Sequence, residues 1–126
     1  MALFKKKVVS TMARQEALDM VPLRNMEAKA EVQENGLVLI SYEVAVKPWF
    51  GRVASKVGLW DGRPMTRQLE LDEIGSYVWG LFDGIRTVRE IVALFTERYK
   101  VQRREAVLSV TEFIRMLGQR GLLGLK

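Results

Sequence analysis

Leu69-Glu70-Leu71-Asp72-Glu73-Ile74-Gly75-Ser76-Tyr77-Val78-Trp79-Gly80-Leu81-Phe82-Asp83-Gly84, continued by Arg86-Thr87-Val88-Arg89-Glu90-Ile91-Val92 and closed by Arg120-Gly121-Leu122, is the stretch whose reading decides the fold. It predicts the end of a strand followed by three capped amphipathic helices. Asp72 stands where an N-cap belongs, accepting from the free amides of a first turn. Ile74, Val78, Leu81 and Phe82 then recur at helical spacing. Gly75 and Gly80 are poor helix formers, which predicts that another backbone packs closely there. Gly84 suits the left-handed C′ position. Thr87-Val88-Arg89-Glu90 spells a capping box. Helix two is predicted to run to about Tyr99, with Val88, Ile91, Val92, Phe95 and Tyr99 on one face. Helix three is predicted to begin near Arg103 or Arg104. Its buried side is Ala106, Val110, Phe113 or Ile114, and Leu117, while Arg104, Leu108, Thr111 and Arg115 form another stripe. Gly121 is the C′ residue expected after it, with Leu122-Leu123 tucking back.

Upstream, Asn35-Gly36 between apolar runs is a strong hairpin signal, since a two-residue turn of this kind wants positive φ at both positions. It predicts strands at about 30–34 and 37–46, the second alternating as Ile40, Tyr42, Val44 and Val46. A third strand is predicted at Thr66–Leu71, after the Asp61-Gly62-Arg63-Pro64 turn. The segment between, Lys47 to Pro64, mixes Trp49, Phe50 and Trp60 with basic residues. It reads as a long hairpin connection whose aromatics cap the sheet, with one or two helical turns allowed by Val53, Val57 and Trp60. Residues 1–28 form an N-terminal extension, partly helical or disordered. A short helix is predicted from Thr11 to Asp19, ended by Val21-Pro22-Leu23, and Lys5-Lys6-Lys7 beside Phe4 reads as part of a solvated tail. The fold class is α+β, winged helix-turn-helix-like: a small three-stranded antiparallel sheet followed by three helices, in one domain over 29–126.

Composition narrows the chemistry. The chain of 126 residues has no cysteine and no histidine. Disulfides, thiolate or imidazole metal sites, cysteine nucleophiles and histidine general bases are therefore excluded. Asp72 and Glu73 are adjacent, so they do not face each other on a helix and read as a cap and a first-turn acid. The glycines do not form a phosphate-binding spacing. We expect no catalytic residues, no metal and no cofactor. No apolar run is long enough for stable membrane insertion, and the start lacks a secretory pattern; a cytoplasmic compartment is the expectation. The net charge of +5 is spread along the chain and fits an acidic peptide partner. A winged-helix DNA-binding regulator is the alternative, with Arg89, Arg98, Arg103, Arg104 and Arg115 as its cations. Glu90, Glu97, Glu105 and Glu112 dilute that field, which argues against nucleic acid. A third reading is a sheet edge that pairs with itself, giving a homodimer.

The run from Leu71 to Ile91 resembles the PqqD family, whose pattern is Leu-Asn/Asp-Glu, a small residue, an aliphatic-Trp pair, Asp-Gly, then Arg-Thr-Val and an acidic-Ile step. The resemblance covers about residues 29–126. It implies a non-enzymatic peptide chaperone, a recognition element that binds the leader of a ribosomally made precursor peptide. The leader is then presented to a radical S-adenosylmethionine or other peptide-modifying enzyme, as in pyrroloquinoline quinone synthesis. It further implies that the leader adds as a strand beside helix three. On this chain the implied contacts are Thr66, Arg67, Gln68, Leu69, Glu70 and Leu71 on the strand and Arg104, Leu108, Thr111 and Arg115 on the helix. Arg67 and Arg104 would meet acidic leader residues.

Overall fold

A computed structural model of the chain describes residues 14–44 and 65–126. Lys5-Lys6-Lys7, the start of the helix predicted from Thr11, the end of the second strand at 45–46 and the whole Lys47–Pro64 segment lie outside the described residues. The elements are β1 (Pro22–Arg24), β2 (Lys29–Val32), β3 (Val38–Val44), β4 (Met65–Glu70), α1 (Glu73–Leu81), α2 (Val88–Tyr99), α3 (Arg103–Gln119) and β5 (Leu123–Leu125). The protein is thus α+β. Of the described residues, Met26–Asp72 form one compact unit, and those before and after it form the other.

The first unit holds the three-stranded antiparallel sheet, ordered β2-β3-β4. β3 alternates as a strand with one buried face should: Val38, Ile40 and Tyr42 are buried, while Leu39 and Ser41 are half-buried and Glu43 is exposed. β2 is exposed along its length. The turn between them differs from the two-residue form expected of Asn-Gly. Gly36 N–H donates to Gln33 C=O (2.9 Å) and Gln33 N–H to Leu37 C=O (2.9 Å), and only Gly36 has positive φ (+84°). The loop is therefore three residues long, a turn closed by a left-handed glycine. The Asn35 carboxamide oxygen accepts from Leu37 N–H two residues on (2.9 Å), an Asx-type bond that braces the turn.

The second unit is built on helix ends. The capping box at Thr87 is formed: Glu90 N–H donates to the Thr87 hydroxyl (3.2 Å) and Thr87 N–H to the Glu90 carboxylate (3.1 Å). The two earlier first-turn amides, Val88 and Arg89, donate to the carbonyls of Met20 and Leu18 at 2.9 and 2.8 Å. The segment before β1 thereby satisfies the donors that a helix start leaves free. Residues 14–17 are helical, and Ala17 and Leu18 are buried. α2 buries Val88, Ile91, Val92 and Phe95, and α3 buries Ala106, Val110, Ile114 and Leu117. Of the two candidates at 113–114, Ile114 is the buried one; Phe113 is half-buried and stacks on Phe82, centroids 6.1 Å apart. α3 ends in a Schellman motif: Leu122 N–H donates to Leu117 C=O (3.0 Å), Gly121 N–H to Gly118 C=O (3.0 Å), and Gly121 takes φ +75°.

Three expectations fail in this unit. The first is that the strands are the three between residues 30 and 71; the helix at 14–17 does end before Val21-Pro22-Leu23, as expected. Pro22–Arg24 also form β1, which pairs antiparallel with β5 to make a two-stranded ribbon. The second concerns α1. Ile74 is 46 % exposed, and the buried set is Gly75, Val78, Trp79 and Phe82. Trp79 draws the helix round: Arg24 lays its guanidinium over the indole, 4.7 Å from the centroid, and donates to the Trp79 carbonyl. Among the described residues no other backbone packs on Gly80: an added Cβ would meet nothing within 4 Å. The third is Gly84 as C′. α1 ends at Leu81, and the positive φ of Gly84 (+79°) serves the turn beyond. Asp83 closes that turn by accepting from Ile85 N–H (2.9 Å) and Arg86 N–H (2.8 Å).

Candidate functional site

The pairing of β3 decides which backbone groups of β4 are free. In an antiparallel ladder, alternate residues of a strand turn both backbone groups toward one neighbour. Gln33 N–H donates to Leu37 C=O, so the odd residues of β3 face β2. Leu71 N–H donates to Val38 C=O (2.8 Å), so the even ones face β4. The bonded pairs across β3 and β4 are then Ile40 with Leu69, Tyr42 with Arg67 and Val44 with Met65. The residues between, Thr66, Gln68 and Glu70, turn their N–H and C=O groups away from β3. Among the described residues no strand pairs with them.

Side chains follow the same alternation, because cross-strand partners share a face. Arg67 and Leu69 lie on the face of Tyr42 and Ile40, both buried; Thr66, Gln68 and Glu70 point to the opposite face and are exposed. Leu69 is half-buried and Arg67 is exposed. Leu71, also expected at the site, lies just past the strand and is 3 % exposed. Its amide is already bonded to Val38 and its side chain is core. Met65, not among the implied contacts, belongs to β4 and is exposed.

The helical set belongs to the other unit. Arg104, Leu108, Thr111 and Arg115 run along one stripe of α3, with Arg104, Leu108 and Arg115 exposed and Thr111 half-buried. The Thr111 hydroxyl donates to Val107 C=O (2.7 Å). Arg115 pairs with Glu112 (3.0 Å), which also meets Arg14 at 3.3 Å. Arg104 has no ion-pair partner among the described residues.

The titrating groups here are structural in character. The Glu112 carboxyl is held below its ordinary value first by the hydrogen bond from Arg115. Asp83 is held down first by the Arg86 amide and then by that of Ile85. Arg24 is lowered by burial, against the opposing charge of Asp83. Both carboxylates therefore stay charged and work as hydrogen-bond acceptors. Among the described residues no cluster of three or more acidic side chains is placed to hold a metal ion, and no helix is long and apolar enough to cross a membrane. The cations offered for DNA are largely engaged: Arg89 binds Asp19 through two bonds of 3.1 Å, Arg98 lies over Tyr77 (4.5 Å), and Arg115 holds Glu112. Among the described residues that leaves Arg103 and Arg104 at the start of α3, too few to make a basic helix face that follows a phosphate backbone.

A family model described as "Coenzyme PQQ synthesis protein D (PqqD)" matches residues 58–123, just over half of the chain. It takes in β4, all three helices and the start of β5. Neither the curated proteins nor the solved structures gave a match.

Proposed function

The chain belongs to the PqqD family, and on that premise we propose that it is a non-enzymatic accessory protein of peptide modification. It binds the leader of a ribosomally made precursor peptide as an added strand on the outer edge of β4. It presents the bound peptide to a modifying enzyme of the radical S-adenosylmethionine type, in coenzyme PQQ synthesis or a related cytoplasmic pathway. The family description supports the pathway class. The observation that carries the binding mode is the outward set of backbone groups at Thr66, Gln68 and Glu70.

Strand addition suits such a role because the backbone supplies affinity and side chains supply selection. Six backbone bonds at about 0.5–1.5 kcal/mol each give roughly 3–9 kcal/mol. Ordering a disordered leader takes back about 2–5 kcal/mol. What remains is at best about 7 kcal/mol, a Kd on the order of 10 µM. Tighter binding needs side chains. Arg67 and Leu69 are the candidates on the strand. Arg104, Leu108, Thr111 and Arg115 enter the proposal through the family resemblance, as does the winged helix-turn-helix-like label.

The test is titration of the labelled protein with leader peptides encoded beside its gene, read by backbone amide shifts. Shifts at Thr66, Gln68 and Glu70 are expected. Saturable binding that leaves those three amides unmoved would refute strand addition at β4.

A further inference from the structure

The outer edge of β4 also carries a selection rule, which rests on the strand-addition reading above. A strand laid along that edge makes its hydrogen-bonded pairs with Thr66, Gln68 and Glu70. Its intervening residues then fall opposite Arg67 and Leu69 and share their face. The residue opposite half-buried Leu69 gains from being apolar. The residue opposite exposed Arg67 gains from being a carboxylate, since Arg67 has no ion-pair partner among the described residues. These two positions lie two residues apart. Antiparallel pairing, the more stable per residue, sets the order. We propose that β4 selects a peptide strand in which an aliphatic residue is followed two positions later by aspartate or glutamate. The net charge of +5 favours such an acidic segment over a basic one.

A second copy of this chain is the competing occupant, and the register argues against it. Two-fold pairing that uses all three edge residues sets Thr66 against Glu70 and Gln68 against its own copy. Arg67 then faces Leu69 of the copy and finds no carboxylate. The neighbouring register in one direction sets Arg67 against Arg67, which is unfavourable. In the other direction only Gln68 and Glu70 are used, so a third of the bonds is lost.

The experiment uses the full chain and short threonine-rich synthetic peptides that differ at two positions two apart: Leu then Glu, Leu then Lys, Glu then Leu, and Thr then Thr. Leu-then-Glu is expected to bind about threefold to tenfold tighter than Leu-then-Lys. The preference should shrink with added salt and reverse in Arg67→Glu, a substitution at an exposed position. Equal binding of the Glu and Lys peptides, with shifts at Thr66, Gln68 and Glu70, would overturn the selection rule but leave strand addition standing. Tighter binding of Glu-then-Leu would overturn the order, and a preference unchanged in Arg67→Glu would overturn the role of Arg67. If no peptide moved those three amides, strand addition itself would fail. A dimer in sedimentation whose Thr66, Gln68 and Glu70 amides are protected before any peptide is added would show that a copy holds the edge.

Discussion

Proline at Gln68 separates the edge from the ladder. The amide of Gln68 points away from β3, so Gln68→Pro leaves every bond between β3 and β4 in place. Proline is tolerated on an edge strand when its missing N–H is the outward one. Its effect on the preceding residue is also harmless here, because Arg67 is already extended. The stability of the protein should therefore change by less than about 1 kcal/mol, the usual scale of a surface strand substitution. Binding should change far more. The added strand loses one donor and keeps a carbonyl with no partner, a cost of about 1–3 kcal/mol, or roughly 5- to 150-fold in Kd. Leu69→Pro is the control, since the Leu69 amide faces Ile40 and its side chain is half-buried. That substitution removes a ladder bond and leaves the Ile40 carbonyl without its partner, which should destabilise the fold by about 1–3 kcal/mol before any loss of Leu69 packing. Urea denaturation gives the stability of both variants, and calorimetric titration with a leader peptide gives the affinity of Gln68→Pro. If Gln68→Pro destabilises as much as Leu69→Pro, the parity is wrong. If it folds normally and binds at the wild-type Kd, the peptide does not use this edge.

Other consequences follow from the helix ends. Thr87→Ala removes the side-chain half of the capping box and should lower stability by about 1 kcal/mol, read as a shift in urea midpoint at constant slope. Gly121→Ala and Gly80→Ala should move stability in opposite directions, although neither added Cβ meets an atom within 4 Å. At Gly121 the φ of +75° makes alanine cost about 1–2 kcal/mol; at exposed, helical Gly80 alanine should gain about 0.5–1 kcal/mol. The carboxyls of Asp83 and Glu112 are held below their ordinary values by the Arg86 amide and by Arg115 respectively. Their contribution is therefore complete above the ordinary carboxylate range, around pH 4, and lost as pH falls through their lower folded values. Asp83→Asn should flatten the acid limb of a stability–pH curve and leave the neutral region nearly unchanged; an unaltered acid limb would contradict the turn contacts.

The local devices were legible because their signals are local. The capping box at Thr87 needs only residues three apart, and the Schellman close at Gly121 needs only a glycine before a leucine pair. The faces of α2 and α3 followed from helical spacing. The stripe of α1 was misread for a non-local reason. Ile74 and Trp79 are both apolar, and Arg24 from a strand some fifty residues earlier determines that Trp79 is covered. The β1–β5 ribbon was invisible for the same kind of reason, since three residues per strand carry no periodicity.

At β4 the division is clearest. Sequence alone placed a strand near Thr66–Leu71, because alternation and turn residues are written into the chain, and the family resemblance implied all six of those residues as contacts. Neither separated Thr66, Gln68 and Glu70 from the rest. A strand offers two alternating sets of backbone groups, and nothing in its own residues says which set is consumed. That is settled by the register with β3, whose own parity is fixed by the three-residue turn at Glu34, Asn35 and Gly36 and its pairing with β2. The sequence thus determined that this segment is a strand with a charged, half-apolar face. The tertiary pairing decided which of its amides face away from β3.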